Sequence, residues 1–128
     1  MPDITAAYNW VIRQCNAPNI GYSQAYRQGQ IVNGIKYYDC SSLMSEGLTV
    51  GNFFKTNPWF TTASEPDYLI GAGFTQHPAS VEWNAGDIVW RRGHTEMVYQ
   101  NRITMGAHTD TYPLDQQVSI NTYASDPA

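Results

Sequence analysis

The stretch YYDCSSL, residues 37–43, ends a long polar loop and places a cysteine where a helix is expected to begin. Asp39 is a good N-cap, because its carboxylate accepts hydrogen bonds from the unpaired N–H groups of a first helical turn. Leu43, Met44 and Leu48 follow at a spacing that suits a buried helical face running until Gly51. The sequence therefore predicts a helix whose first turn contains Cys40.

The residues before this stretch predict another helix and a loop. From Ile4 to Cys15 apolar residues recur at helical spacing, and Asp3 is placed to cap the start. Between Asn16 and Tyr38, glycine and proline lie among polar residues, which indicates a long loop with a short hairpin at Asn33-Gly34. Cys15 falls on the buried helical stripe and is interpreted as a small core residue. A disulfide with Cys40 is the alternative.

After the second helix the pattern becomes irregular and then changes to short strands. Residues 51–84 contain three prolines and many small polar residues, with room for a short helix at 67–72. Segments 87–90, 95–99, 102–107 and 117–121 are rich in β-branched and aromatic residues. Helices first and strands second predict an α+β domain, with the N-terminal helices packed on a small antiparallel β-sheet.

Composition excludes several classes of protein. The 128 residues suffice for one domain with a real core, and 42% of them are apolar. A net charge of −4 offers no dense basic surface, so nucleic acid is not an expected partner. We expect no membrane span and no signal peptide, because no long apolar run occurs and residues 1–5 lack basic and then apolar sections. Two cysteines are too few for a disulfide scaffold or a zinc ribbon.

The predicted position of Cys40 suggests a nucleophile. A helix N-terminus stabilises a thiolate and lowers its pKa, although the charge of Asp39 opposes this effect, so a base is still needed. His94 opens a predicted strand on which His94, Glu96 and Val98 share one face. A cysteine at a helix N-terminus with a histidine on a neighbouring strand is the arrangement of papain-like enzymes, in which a third polar group orients the imidazole.

Several residues compete for the orienting role. His108 ends the next predicted strand, and a tight turn at Gln100-Asn101 would bring it near His94. Asp110, Asn101 and Glu96 are rivals, whereas His77 is interpreted as a surface residue. Three histidines and Cys40 could in principle bind a catalytic zinc, but their spacing matches no short ligand motif, so we expect no metal.

Four segments resemble a known family. Residues 21–27, 38–42, 85–90 and 93–99 read GYSQAYR, YDCSS, AGDIVW and GHTEMVY. In this order they resemble phage peptidoglycan hydrolases, the endolysin catalytic domains of the broad NlpC/P60 and CHAP cysteine amidase and peptidase superfamily. The resemblance spans roughly Ala6 to Ile120.

The resemblance implies a papain-like α+β fold and cleavage of an amide in cell-wall peptide. It implies Cys40 as the nucleophile, His94 as the general base and then acid, and His108 as the orienting residue. Tyr22, Asp39 and Ser41 match positions that line the substrate cleft, and Tyr22 would also assist the oxyanion. No cofactor is implied, and the calcium-binding acidic cluster of some CHAP domains has no clear counterpart.

The expected partner is bacterial peptidoglycan, reached outside the cytoplasm by holin-dependent release or as part of a virion. Residues 1–121 would form the catalytic domain, and 122–128 would begin a linker to a cell-wall binding domain. The residues do not distinguish an endopeptidase from an N-acetylmuramoyl-L-alanine amidase. A non-catalytic cell-wall binding module and a zinc-dependent amidase are the alternative functions.

Overall fold

The first helix begins and ends close to where the sequence predicts. In the computed structural model, which describes residues 1–122, helix α1 spans Ile4–Asn16. The Asp3 carboxylate accepts a hydrogen bond from the N–H of Ala6 at 3.1 Å. Cys15 is half-buried and packs against the core, as expected of its position on the inner stripe. Both cysteines are free thiols, so the alternative of a disulfide is excluded.

The prediction of one long loop before Asp39 is wrong, because the segment forms a small sheet. Its strands are β1 (Ile20–Tyr22), β2 (Gln28–Val32) and β3 (Ile35–Tyr38), in the order β1-β3-β2. The hairpin between β2 and β3 is confirmed, with positive φ angles of 53° at Asn33 and 80° at Gly34. Strand β1 pairs with β3 in parallel, and this non-local contact leaves no local sequence signal.

Helix α2, Cys40–Val50, starts at the predicted residue. The Asp39 carboxylate accepts a hydrogen bond from the N–H of Ser42 at 2.8 Å, and the Ser42 hydroxyl accepts one from the N–H of Asp39 at 2.9 Å. These reciprocal bonds form a capping box, which fixes the first turn and therefore the position of Cys40. The helix ends at Gly51, whose carbonyl accepts a hydrogen bond from the N–H of Asp3.

A four-stranded antiparallel sheet follows the irregular section. Helix α3, Glu65–Gly71, lies near the predicted short helix, and a further short helix, α4 (Leu114–Gln117), was not predicted. The strands are in the order β4-β5-β6-β7 and differ from the predicted segments by at most one residue at either end. They span Ile88–Arg91 (β4), His94–Gln100 (β5), Ile103–Ala107 (β6) and Val118–Thr122 (β7).

Both long helices pack on this second sheet. Helix α2 contacts β5 and β6, and α1 contacts β5, β6 and β7. Fully buried residues on these elements form the core, which includes Ala7, Val11, Leu43, Met44, Leu48, Met97 and Met105. The predicted α+β fold is confirmed. Of the predicted linker, only Thr122 belongs to the described residues, and it ends β7.

The fold places the N-terminus of α2 against the beginning of β5. Across residues 1–122, every helix is too short or too polar to cross a bilayer.

Candidate active site

Cys40 is the first residue of α2 and lies against strand β5. Its side chain is almost enclosed, since the residue is 8% exposed. The backbone N–H groups of Thr95 and Ser41 lie close enough to the sulfur to lower the pKa of the thiol. Because Thr95 follows His94 in β5, the thiol lies against the strand one residue after the histidine that the sequence pairs with it.

The resting state of the thiol differs from the sequence-based expectation. Burial raises the pKa of Cys40 to about 12, and the charge of Asp39 acts in the same direction. The N–H groups of Thr95 and Ser41 lower the pKa but do not offset burial. The helix N-terminus therefore does not by itself make a thiolate here. At neutral pH the sulfur carries its proton, and a nucleophilic role would require a base to remove it.

The ring of His94 is held by a carboxylate on its own strand. His94 Nε2 lies 2.6 Å from Glu96 Oε2, and both side chains are buried. The prediction that His94 and Glu96 share one face of the strand is confirmed. Because the Glu96 carboxylate accepts this hydrogen bond, Nε2 carries the ring proton. The other ring nitrogen, Nδ1, then has the lone pair that a general base requires.

Glu96 is fixed by contacts from the neighbouring strand. Its residue exposure is 0%, and its Oε1 accepts a hydrogen bond from the hydroxyl of Thr104 at 2.8 Å. Gly106 leaves the space that the carboxylate needs, since a Cβ at this position would lie 2.8 Å from Glu96 Cγ. The carboxylate is thus held in one position beside Nε2 of the His94 ring.

His108 lies at the same carboxylate. Its Nδ1 is 3.3 Å from Glu96 Oε2, and its Nε2 is 3.2 Å from the carbonyl of Ser119. The rings of His94 and His108 are 6.3 Å apart between centroids, which confirms that the strands bring these residues together. The atom that contacts the His94 ring, however, belongs to Glu96. The assignment of the orienting role to His108 stays a prediction.

The other rivals lie elsewhere. Asn101 accepts a hydrogen bond from the N–H of Trp83 in the turn after β5, at 3.0 Å. Asp110 is exposed in the loop after β6, and His77 is exposed as predicted. Of the four residues considered from the sequence, Glu96 and His108 are therefore the two that reach the His94 site.

The predicted cleft residues Asp39 and Ser41 lie in a network around Arg27. Arg27 Nε donates to Asp39 Oδ2 at 2.8 Å, and one of its terminal nitrogens donates to Ser41 Oγ at 3.1 Å. The same guanidinium donates to the carbonyls of Trp59 and Phe60. Since both predicted residues are nearly enclosed, these contacts hold the start of α2 in place. Their role in substrate binding stays a prediction.

Tyr22 lies near the thiol of Cys40. Its backbone N–H donates to Gln117 Oε1 at 2.8 Å, and the ring is half-buried. Burial raises the pKa of the Tyr22 phenol, and the nearby Cys40 raises it further. The phenol therefore keeps its proton at neutral pH and can act as a hydrogen-bond donor near the sulfur.

Glu65 is a buried acid near the site that the sequence analysis did not identify. It is 0% exposed at the start of α3, and its Oε2 accepts a hydrogen bond from the Thr95 hydroxyl at 2.7 Å. Burial raises the pKa of Glu65 to about 8, despite this hydrogen bond. The one local signal is Pro66, a residue type common in a first helical turn, and nothing in the neighbouring sequence indicates that this acid is enclosed.

One cluster has the composition of a metal site. The ligand atoms of His94, Glu96 and His108 all lie within 4.8 Å of one another.

Two cavities, of about 500 and 220 Å³, are lined by neither Cys40 nor His94. The first is bounded by the end of α1 and by α4, and the second by Ile4 and residues 72–74.

Comparison with known proteins assigns this chain to no family. The sequence matches no family model, and neither the curated proteins nor the solved structures contain a significant match.

Proposed function

We propose that this chain is a cysteine-dependent hydrolase that cleaves an amide bond in bacterial cell-wall peptide. The observation that carries the proposal is the position of Cys40 at the start of α2, packed on β5 close to the backbone N–H of Thr95, the residue after His94. The imidazole is in turn held by the buried carboxylate of Glu96 at 2.6 Å. A nucleophile, a base and a residue that orients the base are the parts that thiol catalysis requires.

The first half of the reaction forms a thioester. His94 Nδ1 takes the thiol proton while the Cys40 sulfur attacks the amide carbon, so that a carbon–sulfur bond forms and the carbonyl oxygen becomes an oxyanion. The backbone N–H of Cys40 and the Tyr22 hydroxyl are the proposed donors to this oxygen. The imidazolium then gives its proton to the leaving amine, and the carbon–nitrogen bond breaks.

The second half releases the acyl group. His94 takes a proton from water, the resulting hydroxide adds to the thioester carbon, and the carbon–sulfur bond breaks as the thiol is restored. Glu96 keeps the His94 ring in one orientation and stabilises its charged form. We assign the orienting role to Glu96, and His108 supports it by contacting the same carboxylate oxygen at 3.3 Å.

The substrate class is supported by sequence. The four segments that resemble phage lysins include Cys40, His94 and Tyr22, and the nearness of Tyr22 to Cys40 is consistent with a shared site. Peptidoglycan is accordingly the proposed partner. The proposed place of action is the cell wall, reached by holin-dependent release or within a virion, with a separate wall-binding domain.

The test compares the wild type with Cys40→Ala on purified peptidoglycan, with released fragments analysed by mass spectrometry. New N-termini at residues beyond the first L-alanine would indicate an endopeptidase, whereas a free L-alanine N-terminus together with peptide-free muramic acid would indicate an amidase. We expect the variant to lose essentially all turnover while it still folds, as circular dichroism can check. Cys15→Ser is the matched control, because it removes the other thiol of the chain, which is also free. Turnover by Cys40→Ala would refute the thiol mechanism, and wall binding without cleavage by the wild type would indicate a binding module.

A zinc-dependent amidase is the second candidate, favoured by the cluster of His94, Glu96 and His108. Two observations weigh against a catalytic metal there. Glu96 has no exposed surface, whereas a catalytic zinc needs an open position for water and substrate. The Glu96 carboxylate is also already hydrogen-bonded to His94, the proposed base for Cys40. Loss of activity in EDTA with resistance to iodoacetamide would favour zinc over the thiol.

A further inference from the structure

The His94, Glu96 and His108 cluster carries a second possibility, because its surroundings match those of a metal centre. Histidines that bind metals usually donate their second ring N–H to a carbonyl or carboxylate, and ligating carboxylates are themselves hydrogen-bonded. His108 Nε2 lies 3.2 Å from the Ser119 carbonyl, and Glu96 Oε1 accepts from the Thr104 hydroxyl at 2.8 Å. Two of the three prospective ligands, Glu96 and His108, therefore already have such supporting contacts.

The tautomer of His108 also favours a cation at this cluster. A carbonyl oxygen can only accept, so the contact with Ser119 fixes the ring proton on Nε2. In the neutral ring, Nδ1 then carries a lone pair, and it lies 3.3 Å from Glu96 Oε2. A lone pair this close to a carboxylate oxygen is repelled unless positive charge lies near both atoms. Either a proton or a metal cation supplies that charge.

The distances suit zinc. Ligand atoms around a tetrahedral Zn²⁺ lie roughly 3.3 Å apart, as follows from bonds of about 2.0 to 2.1 Å. The separation of His108 Nδ1 and Glu96 Oε2 already matches, at 3.3 Å. His94 Nε2 and Glu96 Oε2 lie 2.6 Å apart and would need to separate by about 0.7 Å to reach this distance. Two imidazoles and one carboxylate form a donor set that zinc commonly takes.

We propose that these three side chains bind Zn²⁺ and that the bound ion switches the hydrolase off. Zinc binding itself needs only the cluster, whereas the inhibition rests on the proposed function. When Zn²⁺ occupies Nε2 of a neutral imidazole, the ring proton resides on Nδ1. His94 can then no longer accept the proton of Cys40, and zinc also displaces Glu96 from its contact with the ring. The ion thus removes the base without touching the sulfur.

The binding test is isothermal titration of ZnCl₂ into the purified chain without a polyhistidine tag. We expect one equivalent to bind with micromolar or tighter affinity. His108→Gln should weaken binding by at least about 100-fold, since partners outside the ligand set already contribute about 10- to 100-fold. His77→Gln, which changes an exposed histidine outside the cluster, is the matched control and should bind like the wild type. Cys40→Ala should also bind normally.

The inhibition test follows the rate at which iodoacetamide alkylates Cys40, a readout that does not need a hydrolysed substrate. Saturating Zn²⁺ should slow alkylation about 10-fold or more in the wild type, because base assistance is typically worth about 100-fold or more. His108→Gln should not respond at the same zinc concentration, and EDTA should restore the wild-type rate. Zn²⁺ should also slow peptidoglycan cleavage, measured in parallel, at the concentrations that slow alkylation.

Each outcome decides the matter. No binding by the wild type, or binding that Cys40→Ala abolishes, would overturn the proposed site. Binding that raises turnover would overturn the inhibitory role and favour a zinc enzyme. If zinc binds and slows alkylation but the protein cleaves no peptidoglycan, the site stands and the proposed function fails. If the protein cleaves peptidoglycan but binds no zinc, only this inference fails.

Discussion

Replacing Glu65 by Gln should change how the stability of this protein depends on pH. Glu65 is enclosed at the start of α3, with its Oε2 bonded to the Thr95 hydroxyl at 2.7 Å. Burial raises its pKa from 4.5 to about 8. The folded protein therefore holds a neutral carboxylic acid at neutral pH, whereas the unfolded chain holds an ionised one. Glutamine has nearly the same shape and cannot ionise.

The magnitude follows from the difference in bound protons. Below pH 4.5 both states hold the proton, and the folded state keeps the full contribution. As the pH rises to about 8, only the unfolded chain releases the proton, so the free energy of unfolding falls by about 1.4 kcal/mol per pH unit. The total loss is up to about 5 kcal/mol, and above pH 8 the contribution no longer changes.

The assay is urea denaturation of wild type and Glu65→Gln at half-unit steps from pH 5 to 9. The measured quantity is the difference between the two free energies of unfolding. The contribution of the histidines to the pH dependence cancels in this difference, because both proteins contain them. It should move in favour of the variant by about 1.4 kcal/mol per unit up to about pH 8 and then become constant. The constant offset from the buried amide does not affect the slope.

Asp67→Asn is the matched control, because Asp67 is an exposed acid in the first turn of the same helix. It removes one charge near the helix N-terminus without touching a buried group. Its profile should run parallel to that of the wild type between pH 5 and 8. Parallel profiles for Glu65→Gln and wild type would refute the reasoning, since Glu65 would then be ionised in the folded protein.

Two further substitutions, at Gly106 and at Glu96, test the role of the Glu96 carboxylate that contacts His94. Gly106→Ala places a Cβ 2.8 Å from Glu96 Cγ, so we expect about 1 to 3 kcal/mol of destabilisation by urea titration and slower peptidoglycan cleavage. Gly71→Ala, with open space around its Cβ, should cost less than about 0.5 kcal/mol, and equal losses in the two variants would exclude crowding as the cause. Glu96→Gln should lower kcat by about 100-fold or more with little change in KM, because His94 loses its orienting charge. The exposed Glu82→Gln should leave kcat unchanged, and full activity of Glu96→Gln would return the orienting role to His108.

The helix that carries the thiol could be predicted because its determinants are local. A capping carboxylate acts on N–H groups within three residues, and the buried stripe of a helix repeats along the chain. Asp39 and Cys40 therefore lie where the sequence predicts them, and the capping box with Ser42 confirms it. The strands of the second sheet were predicted for a similar reason, since β-branched runs between turn residues are also a local signal.

The sheet before Asp39 was missed because its pairing is not local. Its strands are short and partly polar, and β1 gains its hydrogen bonds from β3, beyond a loop and β2. Alternation along β5 predicted that His94 and Glu96 share a face. It did not predict which of four polar residues contacts the imidazole, because that depends on how β6 packs alongside.

The sequence by itself determined the α+β class, the helix that begins at Cys40 and the strand that begins at His94. Only the tertiary structure decided that these two elements meet, that Glu96 contacts the imidazole and that the thiol is protonated at rest. The physical reason is that capping and periodicity act over a few residues. The pKa of a thiol or carboxyl depends instead on the water and charge around it, and here segments distant in sequence supply or exclude both.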